Sequence, residues 1–372
     1  MKILVTGANG FIGKNLIAEF SKKEYQDRYE VLSFDLDTEP HLLDEYVKKC
    51  EFVIHLAGVN RPQDVNEYMN GNYGFTTTLL NKLEACNNKA PILITSSIQA
   101  VLDNHYGLSK KAAEDYVIEY GKRNNIKTLV YRLPNVFGKW CKPNYNSVIA
   151  TFCYNIANQQ EITINDENKL LSLVYVDDVI QEFFKALDFK ENRNEDFCYV
   201  EPVYKKTLGE IANLIYSFKD TRCNLKIPDM SNLFVKKLYS TYLSYLPNNS
   251  FSYILKMNCD NRGSFTEMIR TQSNGQVSIN ISKPGIVKGN HWHHTKNEKF
   301  LVVSGKGVIR FRNIFSDKII EYFVSGDKLE VVDVPCGYTH NIENLGETDM
   351  VTIMWCNECF DPENPDTIFL EV

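Results

Sequence analysis

Residues Gly285 to Gly305 read GIVKGNHWHHTKNEKFLVVSG, a G-x5-H-x-H-x4-E-x6-G pattern. His291 and His293 stand two apart, which on a strand aims both side chains at one face. Glu298 follows on the next run, and Gly305 ends that run at a turn. A second stretch, Pro335-x-Gly337-x2-His340-x3-Asn344, adds a further imidazole. Three imidazoles and a carboxylate make a borderline-soft donor set for a divalent transition metal. Short alternating runs surround these motifs: Gln276–Ile281, Phe300–Val303, Gly307–Arg312, Ile319–Val324 and Val351–Trp355. Turn signals such as Ser304-Gly305-Lys306 and Ser325-Gly326-Asp327 separate them. Short strands with regular turns read as a β-sandwich or jelly roll.

The two motifs resemble those of the cupin superfamily, in which they form a metal-binding β-barrel. The first matches in full; the second starts differently, because Gly326 lies a few residues early. The resemblance implies Zn2+ on His291, His293, Glu298 and His340. Four protein ligands around zinc more often make a structural site than a catalytic one. His294 and Tyr338 are candidate proton-transfer groups beside it. The turn cluster Leu246-Pro247-Asn248-Asn249-Ser250 marks the expected boundary of this domain, giving residues 250–372.

Upstream, residues 1–246 read as a doubly wound α/β domain. An apolar strand, Lys2–Thr6, runs into Gly7-Ala-Asn9-Gly10-Phe11-Ile12-Gly13 and then a helical pattern to Phe20. Glycines so placed give a tight turn and let the helix N-terminus face a pyrophosphate. A second strand, Tyr29–Phe34, ends in Asp35, about twenty residues past the glycines. A carboxylate there suits a free ribose 2′-hydroxyl and repels a 2′-phosphate. A third strand, Phe52–Leu56, continues into Ala57 and Gly58, where small residues let backbone approach a cofactor. The G-x2-G-x2-G spacing resembles the extended short-chain dehydrogenase/reductase family. Gly7, Asn9, Gly10, Phe11, Ile12, Gly13, Asp35, Leu56, Ala57 and Gly58 are the expected dinucleotide contacts.

A fourth strand, Ile92–Thr95, closes on Ser96-Ser97, and Tyr106-Gly-Leu-Ser-Lys110 opens a helix reaching about Arg123. Tyr106 and Lys110, four apart, share a helix face. A tyrosine hydroxyl can give a proton to a carbonyl that receives a hydride. Its ordinary pKa near 10 makes it sluggish at neutral pH, and a nearby ammonium or oxidised nicotinamide favours the phenolate. A serine can hydrogen-bond the substrate oxygen, with Ser97 the first choice by register and Ser96 the second. Tyr106 and Lys110 also count as cofactor contacts. Eight residues lie between Ser97 and Tyr106, a shorter loop than is usual in the extended family.

Arg132-Leu-Pro-Asn135-Val-Phe-Gly138 is similar to the family's R-x2-N-V-[YF]-G, which begins the substrate side. It continues through Lys139, Lys142, Asn144 and Asn146, with aromatics between them. Together with Asn135 these residues suit a diphosphate and a stackable base, as in a nucleotide sugar.

A net charge of −6 argues against a nucleic-acid partner. No apolar run approaches a membrane span, the first strand starts at once, and the ten scattered cysteines form no paired framework. A cytoplasmic protein with no membrane partner is expected, and Cys356-x2-Cys359 reads as reduced thiols. An extended reductase joined to a cupin is similar to the bifunctional capsular polysaccharide synthesis enzymes. The most specific stretches are FGKWCKPNYNSVIATF and SKPGIVKGNHWHHTKNEKFLVVSGKGVIRFR. That resemblance implies a homodimer acting on a UDP-2-acetamido-2,6-dideoxy-hexos-4-ulose. The cupin epimerises carbon 3 and the reductase reduces carbon 4, giving UDP-2-acetamido-2,6-dideoxy-L-talose on the way to UDP-N-acetyl-L-fucosamine for capsule or O-antigen. It implies NADPH, whereas Asp35 leaves NADH open. Two alternatives are a single-activity nucleotide-sugar enzyme with a structural, dimerising cupin, and a non-enzymatic dinucleotide-sensing regulator.

Overall fold

Strand β1 (Lys2–Thr6) lies inside a parallel sheet, and in the computed structural model its Ile3, Leu4 and Val5 are fully buried. A strand covered on both faces must be apolar throughout, which is why no alternation is visible there. The structure describes all residues except 272, 274 and 362. The chain divides into two compact units, Met1–Tyr216 with Lys237–Pro247, and Ser217–Lys236 with Asn248–Val372.

In the first unit, β1 is joined by β2 (Glu30–Phe34), β3 (Phe52–His55), β4 (Ile92–Ser97) and β5 (Thr128–Leu133). The order β2-β1-β3-β4-β5 is parallel throughout, the doubly wound arrangement expected. Three small pieces follow: β6 (Asn135–Phe137), β7 (Leu170–Tyr175) and, beyond β5 in the main sheet, the hairpin β8 (Arg193–Asn194) and β9 (Phe197–Cys198). Strand β10 (Tyr204–Thr207) pairs with β7 beside β6. One core layer packs Leu16 and Phe20 of helix Phe11–Phe20 against Phe183 of helix Val176–Leu187. The other packs helices Phe75–Ala85 and His105–Asn124, through Leu79, Leu83 and Val117, onto the opposite face. The strand order reverses between β1 and β3, so the ends of β1 to β4 form the crevice where a ligand binds in such sheets.

The second unit is all antiparallel. One sheet holds β11 (Asn258–Asp260), β12 (Gly263–Arg270), β13 (Gln276–Ser282), β20 (Met350–Cys356), β15 (Glu298–Ser304) and β18 (Val331–Val334), in that order. The other runs β17 (Ile319–Ser325), β16 (Lys306–Asn313), β19 (Tyr338–Asn344), β14 (Val287–Trp292) and β21 (Ile368–Phe369). Phe300, Val302 and Met350 of the first sheet meet Ile309, Phe311 and Ile342 of the second in a dry core. This is the expected α/β plus all-β architecture. Periodicity had marked β13, β15, β16, β17 and β20 to within two residues at either end. Helix Phe11–Phe20 starts three residues before its predicted apolar pattern. No helix among the described residues is long and apolar enough to cross a membrane. The ten cysteines are free, Cys356 and Cys359 included.

Candidate functional site

In the first unit the turn after β1 bonds Gly7 N–H to the Phe34 carbonyl at 2.9 Å and Gly10 N–H to Gly7 at 3.0 Å. Helix Phe11–Phe20 then begins at Gly10 without a side-chain cap, so its first-turn amides have no acceptor from that residue. Leu56 N–H donates to the Thr6 carbonyl at 3.1 Å, which brings Ala57 and Gly58 alongside. At Gly58 a Cβ would meet Asn72 Oδ1 at 2.8 Å and Lys110 Nζ at 3.0 Å. That close approach leaves no room for a side chain. Asn72, on which the sequence motifs place no role, is the clip. It accepts from Val59 N–H at 2.9 Å and donates to Val59 O and to Ser109 Oγ of the Tyr106 helix.

That helix is capped by Asn104, whose side chain accepts from Gly107 N–H at 2.8 Å, so Tyr106 and Lys110 sit in its first two turns. Lys110 is 9% exposed, and its ammonium reaches the Thr95 carbonyl at 3.4 Å and stands 6.0 Å from the Tyr106 ring centre. Burial pushes its pKa down to about 8, against a smaller upward pull from Glu114. Tyr68 packs edge-on to Tyr106 at 5.8 Å. Burial raises the Tyr106 pKa, and the Ser97 side chain, as its hydrogen-bond partner, pulls it part of the way back. In the protein alone, burial sets the direction of that shift. Ser97 and Tyr106 meet because a single 3-10 turn, Ile98–Val101, fills the short loop between them. Ser97 Oγ also accepts from Gln99 N–H at 3.1 Å. Ser96 is buried, and its Oγ has no partner among the described residues.

The five residues expected on the substrate side lie apart in exposure. Asn135, Lys142, Asn144 and Asn146 are exposed, and Lys139 is half-buried. Lys139 Nζ pairs with Asp177 at 2.6 Å, so its charge is already met within the protein. Asn135 donates to the Ser172 carbonyl at 3.1 Å, and Lys142 lies 5.2 Å over the Tyr145 ring. Tyr245 braces the loop by donating to the Cys141 carbonyl at 2.6 Å.

The second unit brings His291, His293, Glu298 and His340 together, with ligand atoms all within 4.8 Å of one another. His291 pairs across the ladder with His340, after a bulge in β14 that shifts register between Gly289 and His291. Gly289 takes φ +111, and a Cβ there would lie 2.7 Å from the His340 carbonyl, so the bulge requires glycine. His293 stands one residue past the end of β14, and Glu298 opens β15. The Glu298 carboxylate is 3.6 Å from His293 Nε2 and 3.3 Å from His340 Nε2. Burial opposes its charge, yet the two imidazoles hold its pKa well below the ordinary carboxylate range. Burial, reinforced by His340, lowers the His291 pKa to about 4, so the ring is neutral at pH 7. The buried Nε2 of His293 and both ring nitrogens of His340 lack hydrogen-bond partners among the described residues. Imidazoles with orphaned nitrogens around a carboxylate fit a divalent transition ion.

Two residues of this site carried no sequence signal strong enough to be found. Asp366 lies 73 positions from His293, and its carbonyl accepts from His293 Nδ1. That bond leaves Nε2 for a metal. The Asp366 carboxylate accepts backbone N–H groups from His294 at 2.8 Å, Thr295 at 2.7 Å and Lys296 at 2.8 Å. Despite the cost of desolvation, these hold its pKa well below the usual range. Lys296, 8% exposed, places Nζ 3.7 Å from the other Glu298 oxygen; its position between the ligands in HHTKNE was the available clue. His294 is exposed and packs edge-on to Trp292 at 4.5 Å, in the bend that follows β14. It does not join the cluster. Tyr338 lies two residues before His340 and packs against the inter-sheet core.

The profile of the NAD dependent epimerase/dehydratase family matches residues 3–198. That of the polysaccharide biosynthesis C-terminal domain matches residues 258–368. The UDP-2-acetamido-2,6-beta-L-arabino-hexul-4-ose reductase of Pseudomonas aeruginosa is 44% identical over 99% of this chain and 98% of its own length. The chain belongs to the NAD dependent epimerase/dehydratase family, in its two-domain CapF branch. The crystal structure of the capsular polysaccharide assembling protein CapF from Staphylococcus aureus is 56% identical, covers 100% of both chains and superposes with a TM-score of 0.94. The UDP-glucuronic acid 4-epimerase of Bacillus cereus, in complex with NAD, covers 59% of this chain and 84% of its own at 20% identity and a TM-score of 0.52. That likeness speaks for the fold of the first unit alone.

Proposed function

We propose that this chain is a two-site nucleotide-sugar enzyme of capsule synthesis, working as a cytoplasmic homodimer on a UDP-2-acetamido-2,6-dideoxy-hexos-4-ulose. The β unit, read as a cupin, epimerises carbon 3, and the α/β unit reduces carbon 4 with NAD(P)H to UDP-2-acetamido-2,6-dideoxy-L-talose. The observation that carries the reading is the near full-length similarity to the Pseudomonas aeruginosa reductase, joined to a Ser97–Tyr106–Lys110 cluster beside the glycine turn.

In the α/β unit, the bound dinucleotide supplies the hydride. Gly7, Asn9, Gly10, Phe11, Ile12 and Gly13 seat its phosphates on the helix start, and Leu56, Ala57 and Gly58 line its passage to Lys110. Tyr106 gives its hydroxyl proton to the carbon-4 oxygen, while Ser97 holds that oxygen by a hydrogen bond. Lys110, charged below about pH 8, favours the phenolate that remains. Ser96 is the substitute for Ser97 should the substrate oxygen lie deeper. Asn135, Lys142, Asn144 and Asn146 take the nucleotide side, and Lys139 contributes once Asp177 shares it.

In the β unit, a 4-keto group acidifies the hydrogen on carbon 3, so a base can remove it and return it on the other face. Zinc held by His291, His293, Glu298 and His340 supplies either a structural tie or Lewis-acid character. Tyr338, on the His340 face of β19, is the proton-transfer candidate that remains. A second reading is favoured by the four candidate protein ligands, a number that would leave zinc no open position: the β unit is then structural, and the first unit is the sole active site. The test of the reductase is direct. Dinucleotide oxidation by the full chain with the 4-keto sugar should be seen and should be lost in Tyr106→Phe; unchanged turnover in that variant removes the assignment.

A further inference from the structure

The end of β2 meets the glycine turn through Gly7 N–H on the Phe34 carbonyl, at 2.9 Å. The next residue, Asp35, is held from several sides. Its Oδ2 accepts Asn9 N–H at 2.7 Å and its Oδ1 accepts Leu36 N–H at 2.8 Å. Its own N–H donates to Thr38 Oγ1 at 2.9 Å, and its carbonyl accepts from Thr38 N–H at 3.0 Å. Asn9 then turns its side chain to a second carboxylate, donating to both oxygens of Asp37 at 3.0 and 3.1 Å. One asparagine in the dinucleotide turn thus clips two negative charges beside it. Both keep unused lone pairs, and an ionised carboxylate only accepts.

The neighbouring stretches of chain supply no lysine or arginine to balance them. From Gly7 to Gly13 and from Asp35 to Val47 the chain carries no lysine or arginine, and Glu39 adds another acid. Among the described residues, no lysine or arginine is ion-paired with either carboxylate. A 2′-phosphate at the adenosine ribose needs a cation, commonly arginine, whereas a free 2′-hydroxyl needs an acceptor. We infer that this chain selects NADH over NADPH, with Asp35 and Asp37, clipped by Asn9, as the specificity-determining residues. The inference rests on the dinucleotide site proposed above and runs against the NADPH that the capsule-enzyme resemblance implies. It assigns discrimination to charge repulsion, so it also predicts how discrimination responds to salt and to charge removal.

The full chain is titrated with NADH and with NADPH, without sugar, and binding is read from nicotinamide fluorescence. NADH should bind about tenfold tighter or more. Raising the salt from about 0.05 to about 0.5 M should narrow that gap, because exposed charges are screened over a shorter Debye length. Asp35→Asn with Asp37→Asn keeps carbonyl acceptors for Asn9 while removing both charges. It should tighten NADPH relative to NADH by about tenfold, at a melting temperature that shows the fold intact. Equal or tighter binding of NADPH by the unaltered chain overturns the inference. So does a preference for NADH that neither salt nor the double substitution moves. Binding of neither dinucleotide overturns the underlying reading as well, and is told apart because no nicotinamide signal changes at all.

Discussion

The two sites of this chain are built in opposite ways. The dinucleotide site is assembled largely from backbone at the ends of consecutive parallel strands, so its parts appear in sequence order: Gly7 to Gly13, Asp35, Ala57-Gly58, Ser97. The candidate metal site is assembled from side chains on and just past β14 and on β15 and β19, then locked by Asp366 from the C-terminal tail. A site made of strand ends tolerates a shift of register poorly but needs few distant partners. A site made of side chains depends on residues that orient its ligands, and those can come from anywhere in the chain.

If the two sites are chemically separate, each should be removable without the other. Tyr106→Phe should lower reduction by about a thousandfold, the scale of a lost general acid, while leaving metal content unchanged by elemental analysis. A parallel fall in bound metal would break the separation. Conversely, His340→Ala should empty the candidate metal site and leave dinucleotide binding within about twofold in fluorescence titration, since the two sites are built in separate units and share no side chains.

Asp366→Ala sharpens the contrast. It removes the carboxylate that gathers three N–H groups of the His294–Lys296 segment, and so loosens the tail whose backbone carbonyl at Asp366 orients His293. Metal affinity measured by competition with a chromophoric chelator should fall about 10- to 100-fold. Affinity equal to that of the parent chain would show that the tail is not needed to aim the ligand.

For the α/β unit, pH offers a probe. Lys110 ordinarily keeps its proton to about 10.5, and burial brings that down to about 8. Between those values the unfolded chain binds the proton that the folded chain has lost, so this group makes stability rise with pH across that window. The charged lysine that assists Tyr106 disappears over the same range. The kcat/KM for reduction should therefore decline above about pH 8, and a profile flat to pH 9.5 would contradict the role of Lys110. The smallest effect expected is that of Gly58→Ala, whose Cβ presses on Asn72 and Lys110. Dinucleotide affinity should weaken by a few-fold, up to about tenfold, with kcat little changed.

The unequal legibility of the sites follows from this contrast. Apolar strands bounded by glycine and serine placed β1 to β4 to within two residues, and the two His-rich motifs named the four residues that the fold brings together. His294, beside them in sequence, packs against Trp292 instead. What stayed hidden acts at a distance or by exchange of partners. Asn72 and Asp366 work through backbone groups far from them in sequence, and neither has a spacing rule. Lys139 looked like a cation for a diphosphate, but Asp177, 38 positions away, already pairs with it. Desolvation raises the Tyr106 pKa, an effect that depends on burial and so on the fold.

The central claim is that carbon 3 is epimerised at the metal site and carbon 4 is reduced at Tyr106. The direct measurement incubates the full chain with the 4-keto UDP sugar in deuterated water, without nicotinamide, and follows the carbon-3 proton by NMR. The account predicts enzyme-dependent loss of that signal in the parent chain and in Tyr106→Phe, and its retention in His291→Ala and His340→Ala. Exchange that survives loss of the metal ligands but not of Tyr106 would contradict it, and would make the α/β unit the sole active site.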